Sequence, residues 1–226
     1  WGDDYSSLQR HVSLAIAYNI WQYFHSTEDQ EFMVNYGAEM FLEICRFWAS
    51  KSKLNRTTGR YEIKNVMGPD EFHEKYHGSE EGGLKDNTYT NLMVVWVFSR
   101  TFELLDKLGS EKETVLKKIQ LSDNELLLWK DISRKINIVI SNDILAQYDG
   151  YFELKELDWE YYKKKYGNIY RMDRLLKADG KEADEFKVAK QADTLQTFYN
   201  LDEKDVTSML ENLGYKLPGN YLAKNL

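Results

Sequence analysis

Residues 66–74 read Val-Met-Gly-Pro-Asp-Glu-Phe-His-Glu, and residues 85–91 read Lys-Asp-Asn-Thr-Tyr-Thr-Asn. The first stretch holds one of the chain's two prolines, directly after a glycine, together with three acids and a histidine. A helical pattern resumes at about Asp86, so the sequence predicts a rigid, acidic loop between two long helices. Loops carry a large share of catalytic residues, and cleavage of a sugar–oxygen bond requires a positioned carboxylic acid.

Apolar residues recur at helical spacing along most of the chain, whereas β-strand signals are sparse. Over residues 8–25 a buried stripe at intervals of four is predicted from Leu8, Val12, Ile16, Ile20 and Phe24. Further helices are predicted over residues 29–50, 87–108, 122–137, 156–166, 183–199 and 203–214. Many long helices joined by loops favour an all-α helical toroid or solenoid, with few or no strands, over a four-helix bundle.

Three local signals add detail to this pattern. Ser122 and Glu125 have the spacing of a capping box that opens a helix. Residues 60–64 alternate in polarity and predict a short strand or an extended arm. Cys45 lies in an apolar helical pattern, so we expect a buried structural thiol, and a single cysteine excludes an internal disulfide.

The composition limits the classes of partner. The 226 residues are 42% hydrophobic, enough for one domain that spans residues 1–226. A net charge of −7 with no basic stripe argues against nucleic acid, and no apolar run approaches the roughly 20 residues of a membrane span. No signal peptide is recognisable, so a cytoplasmic location is expected. His25, His73 and His77 show no metal-ligand spacing, so neither a metal nor an organic cofactor is expected.

The stretch at residues 66–91 resembles the catalytic segment of glycoside hydrolase family 65, which contains maltose, trehalose, kojibiose and nigerose phosphorylases. Residues 8–23 resemble the helix that precedes the acid in this family. Residues 190–193, Lys-Gln-Ala-Asp, resemble its sugar-binding Lys-Gln pair. The likeness runs over nearly the whole chain and implies part of an (α/α)6 barrel.

The resemblance also implies a partial catalytic domain. About seven or eight of the barrel's twelve helices are recognisable in the sequence. The family's N-terminal β-sandwich, its C-terminal β-domain and its upstream Trp-Asp motif are not recognisable. Its phosphate motif, His-Gly-Ser-Thr or His-Asp-Ser-Ser, would be expected just after Leu226. We therefore expect the isolated chain to be inactive. Separately, the resemblance implies that the full-length enzyme is a homodimer.

Glu71 is implied to be the general acid, with Glu74 as the second choice. A general acid must stay protonated near neutral pH, so we expect the surroundings of Glu71 to raise its pKa. Contact with Phe72, or the negative charge of Asp70 or of bound phosphate, would have that effect. From the residues alone, an acid in a solvated turn is the alternative, because Pro-Asp is ordinary turn chemistry.

Substrate contacts are implied at two further places. Lys190 and Gln191 match the pair that contacts the glucose unit, and an ammonium group with an amide can bond several sugar hydroxyls. An exposed helix face is the alternative for both. Asp70 and His73 flank the acid, where they would contact sugar hydroxyls, orient Glu71, or form a hydrogen-bond network within the loop.

The start of the helix after the loop and one histidine upstream are also candidates. Asn87 is predicted to cap the helix, with a substrate contact as the alternative. Tyr89 and Asn91 are further candidates for side chains that face the cavity. His11 lies close to an apolar stripe, and either a core position or a cavity-facing role is compatible with the sequence.

The resemblance implies inverting phosphorolysis of an α-linked glucosyl disaccharide. Inorganic phosphate, the co-substrate, attacks the anomeric carbon while Glu71 protonates the leaving oxygen, which yields β-glucose 1-phosphate and a free sugar. One alternative is a trehalase-like hydrolase, which needs a second carboxylate about 6.5–9.5 Å from the acid. The other is a non-enzymatic helical scaffold, although no fixed repeat is present. The sequence leaves the linkage open.

Overall fold

A computed structural model describes residues 4–225. Its α-helices are α1 (Val12–Thr27), α2 (Gln30–Phe32), α3 (Ala38–Lys51), α4 (Thr88–Lys107), α5 (Lys112–Lys118), α6 (Asp123–Lys135), α7 (Trp159–Tyr166), α8 (Met172–Ala178), α9 (Asp193–Asn200), α10 (Glu203–Asn212) and α11 (Tyr221–Asn225). The strands of the described residues form two antiparallel hairpins, β1 (Ser52–Asn55) with β2 (Arg60–Ile63) and β3 (Ile140–Ser141) with β4 (Ile144–Leu145). The prediction of an all-α chain with few strands is confirmed.

Helix α4 lies at the centre of the main hydrophobic core. It packs against α1, α3, α6, α9 and α10, and every residue from Thr88 to Phe98 is buried. A helix without a polar face is a core helix, so this half of α4 is fixed by packing on all sides. Asn87 caps it, because its side-chain oxygen accepts from the backbone N–H of Thr90 at 3.0 Å. The predicted cap is therefore confirmed, and such a cap contributes about 1 kcal/mol.

The loop before α4 is tied at both ends. The backbone N–H of Ile63, the last residue of β2, donates to the Asp86 carboxylate at 3.0 Å. Inside the loop, the backbones of Val66 and Leu84 pair in antiparallel fashion. The backbone N–H of Met67 donates to the carbonyl of Leu8 at 2.9 Å, which holds the loop against the segment before α1. The acidic stretch is therefore a braced loop, as the sequence predicts, but it follows a hairpin and not a long helix before it reaches the core helix.

The buried face of α1 differs from the predicted stripe. Ile20 and Phe24 are buried, but Val12 and Ile16 are 52% and 47% exposed. An α-helix turns about 100° per residue, so positions four apart drift by about 40° at each step. A stripe drawn strictly at intervals of four leaves the core-facing side within a few steps. The buried positions of α1 are Leu14, Ala17, Ile20, Trp21 and Phe24.

The predicted helix over residues 183–199 is wrong in its first half. A single 3-10 turn at Ala183–Glu185 is followed by an irregular segment, and α9 begins only at Asp193. The segment leaves the helical path because its backbone pairs elsewhere: Lys187 donates to the carbonyl of Lys155 at 2.8 Å. Lys190 and Gln191 therefore lie on a loop, and the alternative of an exposed helix face is wrong for both.

Other sequence predictions have mixed outcomes. The capping box of Ser122 and Glu125 is present at the start of α6. Residues 60–63 form a strand, and its partner β1 was not predicted. Helix 29–50 is interrupted by a π-helical turn at Met33–Gly37, and α5, α8 and α11 were not predicted.

Cys45 is buried, and burial raises the pKa of its thiol to about 12, so the prediction of a structural thiol is confirmed. Among residues 4–225, no helix is both long and apolar enough to cross a membrane.

Candidate active site

Glu71, Lys190 and Gln191 meet, although 119 and 120 residues of sequence separate them. One carboxylate oxygen of Glu71 lies 2.6 Å from Nζ of Lys190, and the other accepts from Nε2 of Gln191 at 2.7 Å. The backbone N–H of Glu71 also donates to Oε1 of Gln191 at 3.1 Å. The structure thus brings together the predicted acid and both predicted sugar contacts.

These contacts lower the pKa of Glu71, with the Lys190 hydrogen bond as the largest cause and the Gln191 hydrogen bond next. The expectation of a raised pKa is therefore wrong for this arrangement. Two features of the structure explain why the pKa of Glu71 is not raised. The Glu71 side chain is 48% exposed, so burial penalises its charge little. Phe72, the expected apolar neighbour, packs against a second hydrophobic cluster.

The environment expected of a general acid is found instead at Glu74. Burial is the largest cause that raises the pKa of its carboxyl, and the negative charges of Asp4 and Glu71 add to it. Glu74 lies partly buried on the same loop, three residues after Glu71. The two candidate acids, Glu71 and Glu74, therefore lie on one loop, where the pKa of Glu71 is lowered and that of Glu74 is raised.

Asp70 connects the two loops from a buried position. One carboxylate oxygen accepts from the backbone N–H groups of Lys190 at 2.9 Å and Gln191 at 3.3 Å. In the other direction, the backbone N–H of Asp70 donates to the Asp193 carboxylate at 2.6 Å. We refer to these hydrogen bonds between Asp70 and residues 190–193 as the interloop clasp.

His73 supports Asp70 from the opposite side. Its Nδ1 lies 2.7 Å from the second Asp70 oxygen, and its Nε2 lies 3.1 Å from the carbonyl oxygen of Phe186. Both ring nitrogens therefore lie within hydrogen-bond distance of acceptor oxygens, which holds the ring between Asp70 and Phe186. The rings of Tyr148 and Tyr151 lie against His73 with centroids at 5.3 and 6.0 Å. A hydrogen-bond network around Asp70 and His73 is thus present, and sugar contacts by either residue remain a prediction.

Asp193 is a further member of the site, and the sequence assigned it no role. One oxygen accepts from Asp70, and the other accepts from Nδ2 of Asn87 at 2.7 Å. Burial is the main cause that raises the pKa of this carboxyl to about 7. The available signal was its place after Lys-Gln at a helix start, where acids are common.

Two neighbours surround Asp193 closely. Its backbone N–H donates to Oε1 of Gln147 at 2.9 Å, and nothing in the local sequence marks Gln147 as a site residue. A Cβ at Gly68 would lie 1.9 Å from Asp193 Oδ2 and 2.4 Å from Asn87 Nδ2. The glycine of the Gly-Pro step is therefore required by the close approach of the loop to Asp193.

His11 lies at the start of α1 and braces the acidic loop. Its Nδ1 lies 3.2 Å from the carbonyl oxygen of Met67, and its ring meets Tyr89 edge-on at 6.1 Å. Burial lowers the pKa of His11, and the hydrogen bond to Met67 opposes that shift. The loop contact accounts for this histidine, and a direct contact with substrate remains a prediction. Asn91 donates to the carbonyl of Asn137 at 2.7 Å.

One group of described residues has ligand atoms close enough for a metal ion: His77, Glu182 and Asp184. Nδ1 of His77 lies 3.3 Å from Asp184 Oδ1 and 3.8 Å from Glu182 Oε2. A hydrogen bond from His77 to the buried Asp184 accounts for the arrangement. The group is separate from the Glu71 contacts, and the expected absence of a metal remains a prediction.

Known proteins are similar to this chain over most of its length. The model of the glycosyl hydrolase family 65 central catalytic domain matches residues 1–221. Trehalose 6-phosphate phosphorylase of Lactococcus lactis subsp. lactis is 46% identical over 225 residues, which cover 100% of this chain and 28% of that protein. An uncharacterized glycosyl hydrolase of Mycobacterium tuberculosis is 41% identical over 99% of this chain and 18% of its own length.

Kojibiose phosphorylase of Halothermothrix orenii is 34% identical over 87% of this chain and 24% of its own length. A solved structure from the human microbiome, provisionally assigned as a kojibiose phosphorylase, superposes with a TM-score of 0.66 at 26% identity, over 87% of this chain and 28% of that one. Its fold agrees with the predicted part of a helical barrel. The chain spans 18–28% of the length of these relatives, and it belongs to glycoside hydrolase family 65.

Proposed function

We propose that the protein is a disaccharide phosphorylase and that this chain carries its general acid and part of its glucose-binding subsite. The observation that carries the proposal is the contact of Glu71 with both Lys190 and Gln191. An acid that must protonate a glycosidic oxygen has to lie beside the groups that hold the glucose unit. Relatives named as trehalose 6-phosphate and kojibiose phosphorylases support phosphorolysis over the non-enzymatic alternative.

In this proposal, Glu71 is ionised in the free site and becomes protonated when substrate binds. Lys190 and Gln191 hold the carboxylate in its ionised form by direct hydrogen bonds. Sugar hydroxyls compete for the same ammonium and amide groups, because a hydroxyl both donates and accepts. When these groups turn to the sugar, Glu71 loses the partners that lower its pKa. A phosphate dianion nearby raises that pKa further, because a like charge disfavours ionisation.

The reaction then follows the inverting scheme. Phosphate attacks the anomeric carbon from the face opposite the leaving group, the glycosidic bond breaks, and the proton of Glu71 goes to the departing oxygen. The products are β-glucose 1-phosphate and the acceptor sugar. Because phosphate is itself the nucleophile, the reaction needs one catalytic carboxyl group, whereas a hydrolase also needs a carboxylate that activates water.

The test uses the full-length protein with a panel of disaccharides. Trehalose, trehalose 6-phosphate, kojibiose, nigerose and maltose are each incubated with and without inorganic phosphate, and glucose 1-phosphate and free glucose are measured. We expect phosphate-dependent release of glucose 1-phosphate from at least one of them, with the β-anomer observed by NMR. Glucose release that does not depend on phosphate would instead identify a hydrolase. An α-anomer would contradict inversion.

A further inference from the structure

We infer that Asp193 is a positioning residue whose ionised carboxylate holds the Lys190–Gln191 segment in register with the loop that carries Glu71. Its effect on turnover rests on the proposed function, whereas its effect on the two loops does not. Outside its own helix, Asp193 forms hydrogen bonds with Asp70, Asn87 and Gln147, and not with the side chains of Glu71, Lys190 or Gln191. It acts through the interloop clasp and through Asn87, at the point where the two loops meet the core.

The clasp is reciprocal, which makes it sensitive to small shifts. Asp70 donates from its backbone to Asp193 and accepts, with its side chain, from the backbones of Lys190 and Gln191. A displacement of Asp193 therefore changes the distance between Asp70 and residue 190 as well. Glu71 follows Asp70 directly in the chain, so the same displacement moves the acid relative to its lysine and glutamine partners.

Asp193 is itself fixed to the core helix. Asn87 uses its side-chain oxygen to cap α4 and its side-chain nitrogen to donate to Asp193. Gly68 packs directly over this pair, with no room for even a Cβ. The fully buried start of α4 thus acts as the fixed reference against which both loops are placed.

Both oxygens of Asp193 face donors, one on the Asp70 backbone and one on the Asn87 side chain. An ionised carboxylate accepts from both, whereas a protonated carboxyl places a hydrogen on one of these oxygens and weakens that contact. The residue is 2% exposed and has no direct lysine or arginine partner among the described residues. The two N–H donors, and the more distant charge of His73, are therefore what sustains its ionised form.

The state of Asp193 changes near neutral pH. Burial raises its pKa to about 7, and the charge of Asp70 contributes in the same direction. The titratable groups that face it are Asp70 and His73 from the acidic loop, Tyr89 from α4, and Tyr151 from the segment after β4. The pKa values of both tyrosines are raised, so neither changes its charge near neutral pH. As the pH falls through about 7, Asp193 takes up a proton. The hydrogen bonds from Asn87 and Asp70 lower its pKa, so a local opening that keeps Asp193 buried but breaks them binds this proton more tightly, and the clasp weakens. Global unfolding, which exposes the carboxyl to water, is not favoured by the same proton.

The decisive experiment follows the two loops and the activity as a function of pH in the full-length protein. Hydrogen–deuterium exchange, corrected for the intrinsic pH dependence, reports on peptides that cover residues 66–75 and 187–193. In the wild type we expect protection of both segments to fall together as the pH drops through about 7. Asp193→Asn retains the size but cannot accept from both donors, so it should lose the protection at every pH.

Asn87→Ser is the matched variant, because a serine oxygen still caps α4, whereas its side chain is one bond shorter than that of asparagine and does not place a donor at the position of Nδ2. In the wild type the hydrogen bond from Asn87 lowers the pKa of Asp193. Its loss in the variant should raise that pKa, so the pH at which half of the protection is lost should be higher. The pH dependence of kcat/KM should change in parallel with the protection. The acidic limb of kcat/KM is expected to disappear in Asp193→Asn, with kcat/KM reduced on the order of 100-fold, and to move upward in Asn87→Ser.

The outcomes separate this inference from the proposed function. If the protein phosphorolyses a disaccharide but the acidic limb is the same in Asp193→Asn, the positioning role is wrong and the function stands. If no disaccharide is a substrate, the exchange data still decide. Unchanged protection of residues 66–75 in Asp193→Asn overturns the inference, and a pH-dependent loss shared by both segments supports it.

Discussion

Nζ of Lys190 lies 2.6 Å from Oε2 of Glu71, so the residue proposed to bind sugar is also the residue that keeps the proposed acid ionised. Both side chains are nearly half exposed, so water screens the attraction and the pair can separate at little cost. Under the proposed function, binding of a sugar and protonation of the acid are linked through one lysine, because Glu71 loses the partner that lowers its pKa when Lys190 turns to the sugar.

Glu71→Gln should remove most of the turnover of the full-length protein and leave its fold intact. An amide cannot donate the proton to the leaving oxygen, and general acid catalysis contributes roughly 10²- to 10⁴-fold. Steady-state phosphorolysis measures the loss, and circular dichroism controls for folding. Glu74→Gln is the matched variant on the same loop. Turnover of Glu71→Gln within threefold of the wild type, together with a large loss in Glu74→Gln, would transfer the acid role to Glu74.

Lys190→Ala should weaken glucose binding and raise the pKa of Glu71. A hydrogen bond from a charged donor contributes roughly 1.5–3 kcal/mol, or about 10- to 150-fold in Kd. The pKa rises because the largest cause that lowers it is removed. Isothermal titration with glucose and carboxyl NMR titration measure the two effects.

Lys187→Ala is the control for this change, because its ammonium pairs with Glu156 at 2.8 Å and lies three residues from Lys190. It should leave both quantities unchanged. If Lys190→Ala and the wild type bind glucose equally well, Lys190 pairs with Glu71 but does not bind the sugar.

Asp193→Asn should change how stability depends on pH. The folded-state pKa of about 7 lies above the unfolded value of 3.8, so the folded state binds more protons between these values. This group therefore makes the free energy of unfolding fall as the pH rises from about 4 to about 7, and leaves it flat above. Urea unfolding at pH 5 and pH 8 measures the effect. The stability of the variant relative to the wild type should be higher at pH 8 than at pH 5, and a relative stability independent of pH would contradict the raised pKa.

Gly68→Ala should destabilise the protein by about 1–3 kcal/mol, the usual range for overpacking. The added Cβ would meet Asp193 and Asn87 at distances no carbon tolerates, so the Gly-Pro step has to move. Gly219→Ala is the control, because a Cβ there meets nothing within 4 Å. Chemical denaturation measures both, and similar midpoints for the two variants would show that the loop is free to shift.

Local features of the fold were readable from the sequence. The cap at Asn87 and the capping box at Ser122 depend on contacts over three residues, which spacing reveals directly. The extended course of residues 186–192 was not readable, because it depends on backbone pairing of Lys187 with Lys155. A helical pattern in that segment was outweighed by a contact that periodicity cannot show.

The candidate site divides in the same way. The motif residues Glu71, Lys190 and Gln191 were identified through the family resemblance, and the structure brings them together. The electrostatic state of Glu71 was predicted with the wrong sign, because its lysine partner is distant in sequence and its apolar neighbour packs elsewhere. The sequence indicated no role for Asp193, because only the folded chain brings the donors of Asp70 and Asn87 to its two oxygens.

The separation of Asp70 and Asp193 by 123 residues has a consequence for synthesis on the ribosome. At 5–20 residues per second, roughly 6–25 s pass between the appearance of the acidic loop and that of its carboxylate partner. During this interval the backbone N–H of Asp70 lacks the carboxylate to which it donates in the folded chain. The two halves of the site can be joined only after translation has passed Asp193, so a nascent chain that stalls earlier carries the proposed acid without the machinery that aligns it.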